Sequence, residues 1–224
     1  MDFGSLQTRV YTCDLMSESA ILLIDGSNFY HSLKKGNYLP FGADKFQNLF
    51  AQISKRYVLK KIYYYDAVKN SEKDKEGYSR QQSFHERLKK SHPKITIKTR
   101  KLKYLVNISD DQIRDSAKRV GILDACKNKL KSFLMDLKLI RLTKEKGIDV
   151  LLVVDAIEEA RAKAAENIIL LSGDADFVPA IELIKSYGLK TINLHTYHGS
   201  SNELRISCNN HILIDFDSDG LVLR

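Results

Sequence analysis

Three cysteines in 224 residues are too few and too scattered to organise this chain. Cys13, Cys126 and Cys208 lie far apart, are odd in number and form no CxxC pair, which argues against both a disulfide framework and a zinc site. Long apolar runs are also missing. The longest hold four or five residues, far short of the roughly 20 that a membrane helix needs. The opening stretch "MDFGSLQTRVYTCDLMSESA" has no apolar signal core, so the expectation is a cytoplasmic protein in which residues 1–16 form a disordered lead-in. No solenoid-length repeat and no low-complexity tract interrupts the chain.

What remains is ordinary globular material, 43% hydrophobic and 29% charged, enough for one large domain or a domain carrying an insertion. The net charge of +8 is unevenly spread. Between Lys55 and Lys103 there are sixteen Lys or Arg against five Asp or Glu, and after Ala162 the acids outnumber the bases. A basic half facing an acidic half suits a polyanion brought to a carboxylate site; the competing reading is a solvated surface.

Strand-like and helix-like patterns alternate. "AILLID" (20–25) reads as a buried strand, followed by a helix from about Asn28 and another through "ADKFQNLFAQISKRY". "KKIYYYDAV" is strand-like. "SEKDKEGYSRQQSFHERLKKS" is a polar helix, and "KITIKTRKLKYLV" alternates with one charged face. From Ser109 to Leu142 a long polar stretch reads as an inserted helix or helical hairpin, with Leu123, Leu130, Phe133, Leu134 and Leu137 on one face. That face must bury against its own domain or against a second copy, which would give a homodimer. Thereafter come a helix opening after Gly147, the strand "NIILL", the strand in "YGLKTINLHTY", a short helix in "SSNELRISCN" and a last strand "HILIDF". Such alternation predicts an α/β domain over 20–216, with a mainly parallel central sheet flanked by helices and a helical insertion at about 109–142.

Two strands finish on acids by the same design: Asp25 after "ILLI" and Asp174 after "IILLSG". In a parallel sheet all carboxyl ends share one edge, so these carboxylates can converge there, and Asp149 joins them if its preceding loop lies on that edge. Clustered carboxylates raise one another's pKa unless a cation neutralises them. With no His or Cys nearby, an all-oxygen set suits Mg²⁺ or Mn²⁺. For each motif taken alone, an ordinary turn or N-cap is the simpler account.

The ordered set "IDGSNFY", "YYYDA", "KGIDVLLVVDAI" and "ILLSGDADFVPAIELIKSYGLKTI" closely resembles the NYN domain, of the LabA-like kind, within the PIN-like nuclease superfamily. The resemblance implies a Rossmann-like sheet and a metal-dependent ribonuclease. Its metal ligands would be Asp25, Asp149 and Asp174. Asn28 would orient a water or phosphate, Asp176 would complete the site, and Lys146 would contact a substrate phosphate. Ser201 and Arg205 match a polar stretch near the family's site. Asp155 matches a recurrent acid and is given a structural role.

Lys98, Arg100, Lys101 and Lys103 are expected to face the RNA backbone. Two of Tyr63, Tyr64 and Tyr65 are expected to pack internally, and His195 and His198 to form a surface pair. The rival readings are a non-catalytic RNA-binding module, a deoxyribonuclease and, less well matched to so large a basic surface, a small-molecule phosphatase.

Overall fold

A computed structural model describes residues 18–72, 74–104, 110–136, 143–144, 147–217 and 220–224. Expectations for the lead-in, for Ser109 as a helix start, for Leu137 and for Lys146 fall outside these residues. In chain order the elements are β1 (Ser19–Asp25), α1 (Gly26–Lys35), α2 (Ala43–Ser54), β2 (Val58–Val68), α3 (Lys75–Ser91), β3 (Ile95–Lys101) and β4 (Lys103–Tyr104). Next are α4 (Asp110–Arg119), α5 (Lys127–Asp136), β5 (Thr143–Lys144), α6 (Ile148–Arg161), β6 (Asn167–Leu171), α7 (Val178–Ser186), β7 (Lys190–Thr196), α8 (Asn202–Ser207), β8 (Asn210–Asp217) and β9 (Gly220–Leu223).

Seven strands form one sheet in the order β3-β2-β1-β6-β7-β8-β9, and every pair but the last is parallel. The chain winds outward from β1 through β2 to β3, then returns to β6 on the other side of β1 and winds outward again. The reversal falls between β1 and β6, which is where open α/β sheets open a crevice beyond their strand ends. β1 and β6 are buried along nearly their whole length, as continuous apolar runs in a doubly covered parallel sheet must be. Leu22 and Ile24 face one layer with Phe29, Leu33, Phe46, Phe50 and Leu88 from α1, α2 and α3. Ile21 and Leu23 face the other, with Leu152, Ala156, Phe177, Ile181 and Leu204 from α6, the turn after β6, α7 and α8.

Local chemistry sets the helix starts. Asp25 caps α1, its Oδ1 accepting the Asn28 N–H at 3.0 Å, so the helix opens at Gly26, two residues before the expected start. Asp74 caps α3 in the same way through Gly77 N at 2.9 Å, which places the start at Lys75. Gly147 precedes α6 with φ near +80°, a conformation that disfavours any side chain there.

Three differences from the sequence reading stand out. "HILIDF" is followed by an antiparallel partner, β9, so it is not the last strand. His195 is 6% exposed on β7 and pairs through Nε2 with His211 Nδ1 at 3.3 Å, instead of sitting at the surface beside His198. The insertion is indeed helical, but its apolar face is only partly covered: Leu123 is 74% exposed and Phe133 57%, Leu130 and Leu134 are half-buried, and α5 has no fully buried residue. Among the described side chains of α4, only Ile113 and Ala117 are enclosed. The three tyrosines of β2 follow the strand's alternation. Tyr64 points into the α2–α3 layer, while Tyr63 and Tyr65 face α6, where their hydroxyls donate to Glu159 (2.6 Å) and Asp155 (2.9 Å).

Candidate metal and nucleic-acid site

Asp25 ends β1, and Ser172, Gly173 and Asp174 follow β6, so the strand reversal brings them side by side. Ser172 Oγ donates to Asp25 Oδ2 at 3.0 Å and accepts the Asp174 N–H at 3.2 Å, linking the two acids through one hydroxyl. Asn28 closes a second link, its Oδ1 accepting the Gly173 N–H at 2.9 Å. Asp174 Oδ1 in turn accepts the Asp176 N–H at 3.0 Å, which turns the chain into the following helix. A side chain on Gly173 is sterically barred, because a Cβ there would lie 1.9 Å from the Gly199 carbonyl oxygen.

The charges in this cluster act on one another. Burial pushes the Asp25 carboxyl up to about 6 against the pull of its two hydrogen bonds, and the charges of Asp149 and Asp174 push the same way. Asp149, in the first turn of α6, is also raised, first by burial and then by Asp174 and Asp176. The four aspartates expected from sequence therefore share one electrostatic neighbourhood. Among the described residues, no three His, Cys, Asp or Glu side chains converge into a ready-made cation cage. The donor set still suits a hard divalent ion, being all oxygen and carrying mutually opposed charge. Asp25 is pinned by its two hydrogen bonds, whereas Asp149 and Asp176 are exposed and have room to change rotamer.

The basic strand divides. Arg100 and Lys101 are exposed on β3, an edge strand where cations also guard against edge-to-edge pairing. Lys98 instead turns inward, with its Nζ 3.2 Å from the Asp155 carboxylate and 5.2 Å from the Tyr63 ring centre. Asp155 thus ties α6 to β2 and β3, matching its structural assignment. Lys103 lies in β4, paired with Lys144, and nothing is described of its side chain. Ser201 caps α8 by accepting the Leu204 N–H at 3.3 Å, and its own N–H donates to the Gly173 carbonyl at 2.9 Å. Arg205 folds back onto Ser200 Oγ and Asn202 Oδ1, both at 3.2 Å. Ser201 thus ends the loop that packs against the Ser172–Asp174 turn, and Arg205 follows within α8.

Two contributors carried no signal strong enough to be singled out from sequence. Ser172 is the hydroxyl between the acids, and its only mark is its place in "SGD". Asn193 is wholly buried on β7 and donates to the Leu170 and Ser172 carbonyls at 3.2 and 2.9 Å, while its own Oδ1 has no partner. An amide in the middle of an apolar strand was the available clue.

A family model for the NYN domain matches residues 19–215, nearly the whole chain. The chain belongs to the NYN domain family of the PIN-like nuclease superfamily. It is similar to an uncharacterized protein, y4oD, of Sinorhizobium fredii, with 37% identity over 60 residues that span 26% of this chain and 28% of that one. Its fold is similar to that of VPA0982, a protein of unknown function from Vibrio parahaemolyticus. That likeness has a TM-score of 0.58 and 21% identity, and it covers 92% of this chain and 97% of the other. Among the described residues no helix is long and apolar enough to cross a membrane.

Proposed function

We propose that this protein is a metal-dependent ribonuclease that hydrolyses RNA phosphodiester bonds at Asp25, Asp149, Asp174 and Asp176. The observation that carries the reading is the shared field of these acids at the strand reversal, where Asp25 is raised to about 6 in the absence of a cation. Mg²⁺ or Mn²⁺ held by Asp25, Asp149 and Asp174 would stabilise charge on the phosphoryl oxygens and acidify the attacking water. Asp176 completes the carboxylate set. Asn28, fixed by its bond to Gly173, presents its amide beside Asp25 to orient a phosphate oxygen or water. Exposed Arg100 and Lys101, with Lys103 and Lys146, attract the RNA backbone, and Arg205 and Ser201 shape the opposite rim. Membership of a nuclease superfamily supports the same reading.

The test is cleavage of labelled single-stranded RNA, duplex RNA and single-stranded DNA with Mg²⁺, Mn²⁺ or EDTA. Metal-dependent cleavage of RNA, lost in Asp174→Asn, is the expected result. Metal binding without cleavage of any substrate would replace this reading with a non-catalytic RNA-binding module. Preferential cutting of DNA would make the enzyme a deoxyribonuclease.

A further inference from the structure

α6 carries apolar residues on two opposite faces, although only one of them reaches the core. Ile148, Leu152, Ala156 and Ala160 pack inward. The opposite face presents Val150, Val154, Ile157 and Arg161, whose spacing of four, three and four residues sets them in one stripe along the helix. Val150 is 65% exposed and Val154 44%, and Ile157 is half-buried. A helix that is apolar on both faces is ordinarily buried on both. α7 widens this surface. The two helices lie side by side, and a shallow crevice between them is lined only by apolar residues, among them Leu152, Val153, Ala156, Ala180 and Ile184. Lys185 donates to the Ser207 carbonyl at 2.9 Å, which fixes the flank of α7 that faces α8. Leu183 lies about 200° round the helix from Lys185. It is therefore on the flank facing α6, and it is 40% exposed. Nothing among the described residues covers this face, α4 and α5 packing chiefly on each other.

The charges along the stripe select what can cover it. Asp149 stands at its amino end, in the shared field of Asp174 and Asp176, whereas exposed Arg161 closes the other end with Lys163 just beyond. A covering helix must therefore carry acid and base in the opposite order. A second α6 turned end for end does so. Antiparallel pairing about Val154 places Val150 and Ile157 of each copy on either side of the axis. It lays each Arg161 toward the partner's Asp149 and opposes the two helix dipoles. Parallel pairing would instead bring the two acid clusters together. We infer that the outer face of α6 and α7 is a two-fold interface with a second copy of this chain, centred on Val154 and flanked by Leu183. The same patch then meets itself, as a closed dimer requires. With α6 about 21 Å long and α7 alongside, the footprint is roughly 20 by 20 Å, at the small end of specific interfaces, so the dimer is reversible. The interface stands whether or not the protein cleaves RNA.

Sedimentation velocity from about 1 to about 200 µM, with EDTA present so that no metal bridges the acids, measures the assembly. The native chain should pass from monomer to dimer within that range. Val154→Glu sets two like charges on the axis and should weaken association about a hundredfold or more. Leu183→Glu, on the other helix, should weaken it as well, whereas Val154→Leu should keep the dimer. Arg161→Glu should weaken it at low salt, and its difference from the native chain should shrink as salt rises. Leu123→Glu with Phe133→Glu, on the apolar face of the insertion, should leave the mass unchanged. All of these side chains are exposed, so the variants keep the fold, which thermal unfolding at a monomeric concentration checks. A native chain that is monomeric throughout, a dimer that survives both Val154→Glu and Leu183→Glu, or one abolished by the insertion variant would overturn the interface.

Discussion

Replacing Asp25 with Asn should make the metal-free protein more stable while destroying its proposed activity. The wild-type carboxylate is 5% exposed, and its pKa stands at about 6 against 3.8 for the free side chain. Between those values the folded state binds more protons than the unfolded chain, so stability falls as pH rises from about 4 to about 6 and is level above about 7. A displacement of roughly two pH units corresponds to about 3 kcal/mol of destabilisation at neutral pH. Asn removes that charge and keeps the cap, because its Oδ1 accepts the Asn28 N–H as well as Asp does. Its Nδ2 then faces Ser172 Oγ, which must become an acceptor and give up the bond it now donates; that rearrangement costs about 1 kcal/mol. The net gain is about 2 kcal/mol, or roughly 4–8 °C in Tm for a domain of this size. Urea and thermal unfolding in EDTA from pH 4 to 8 read it directly as the difference between wild type and Asp25→Asn, which should be near zero at pH 4 and maximal above pH 7. With Mg²⁺ or Mn²⁺ added, the wild type should gain stability that the variant does not. A variant less stable than wild type in EDTA at pH 7.5 would refute the reasoning.

Asp174→Asn should leave the melting transition cooperative and cut RNA cleavage by about two orders of magnitude or more, as measured under matched metal. Gly173→Ala should destabilise by roughly 2–4 kcal/mol in urea titrations, since its methyl group would be forced into the backbone of Gly199. Lys98→Ala should act on stability, losing about 1 kcal/mol by removing the cation from Asp155, which keeps only the Tyr65 hydroxyl among its described partners, with little change in the salt slope of RNA binding. Arg100→Ala with Lys101→Ala should show the opposite pattern, a flatter salt slope with unchanged stability.

Much of this was legible in the sequence wherever one local signal dominates. Continuous apolar runs ending on Asp gave β1, β6 and the acids at their ends, because a strand buried on both faces has no other composition. The shared edge of Asp25 and Asp174 followed from parallel topology, whereas Asp149 was placed there only on the condition that its preceding loop lay on that edge. The pairing of Lys98 with Asp155 was not legible because alternation assigns a face but not what covers it; α6 places Asp155 there. His195 was misjudged for a similar reason. Its partner His211 is on the neighbouring strand, sixteen residues away, and no local pattern records strand register. β9 is four residues long, too short for periodicity to stand out.

The bond from Ser172 to Asp25 spans 147 residues of chain. A ribosome must therefore add 147 residues after Asp25 before the hydroxyl that links the two strand-end acids exists. A nascent chain bearing β1, β2 and β3 has the basic strand already made but lacks β6 and the acid that follows it; on the proposed ribonuclease reading it would attract RNA without being able to cut it. The insertion lies inside this long separation, yet removing some thirty residues from a closure of that length changes its entropy by only about 0.2 kcal/mol. Selection can lengthen or shorten that segment almost without thermodynamic consequence, while the order of synthesis withholds the second acid of the proposed site until β6 has been made.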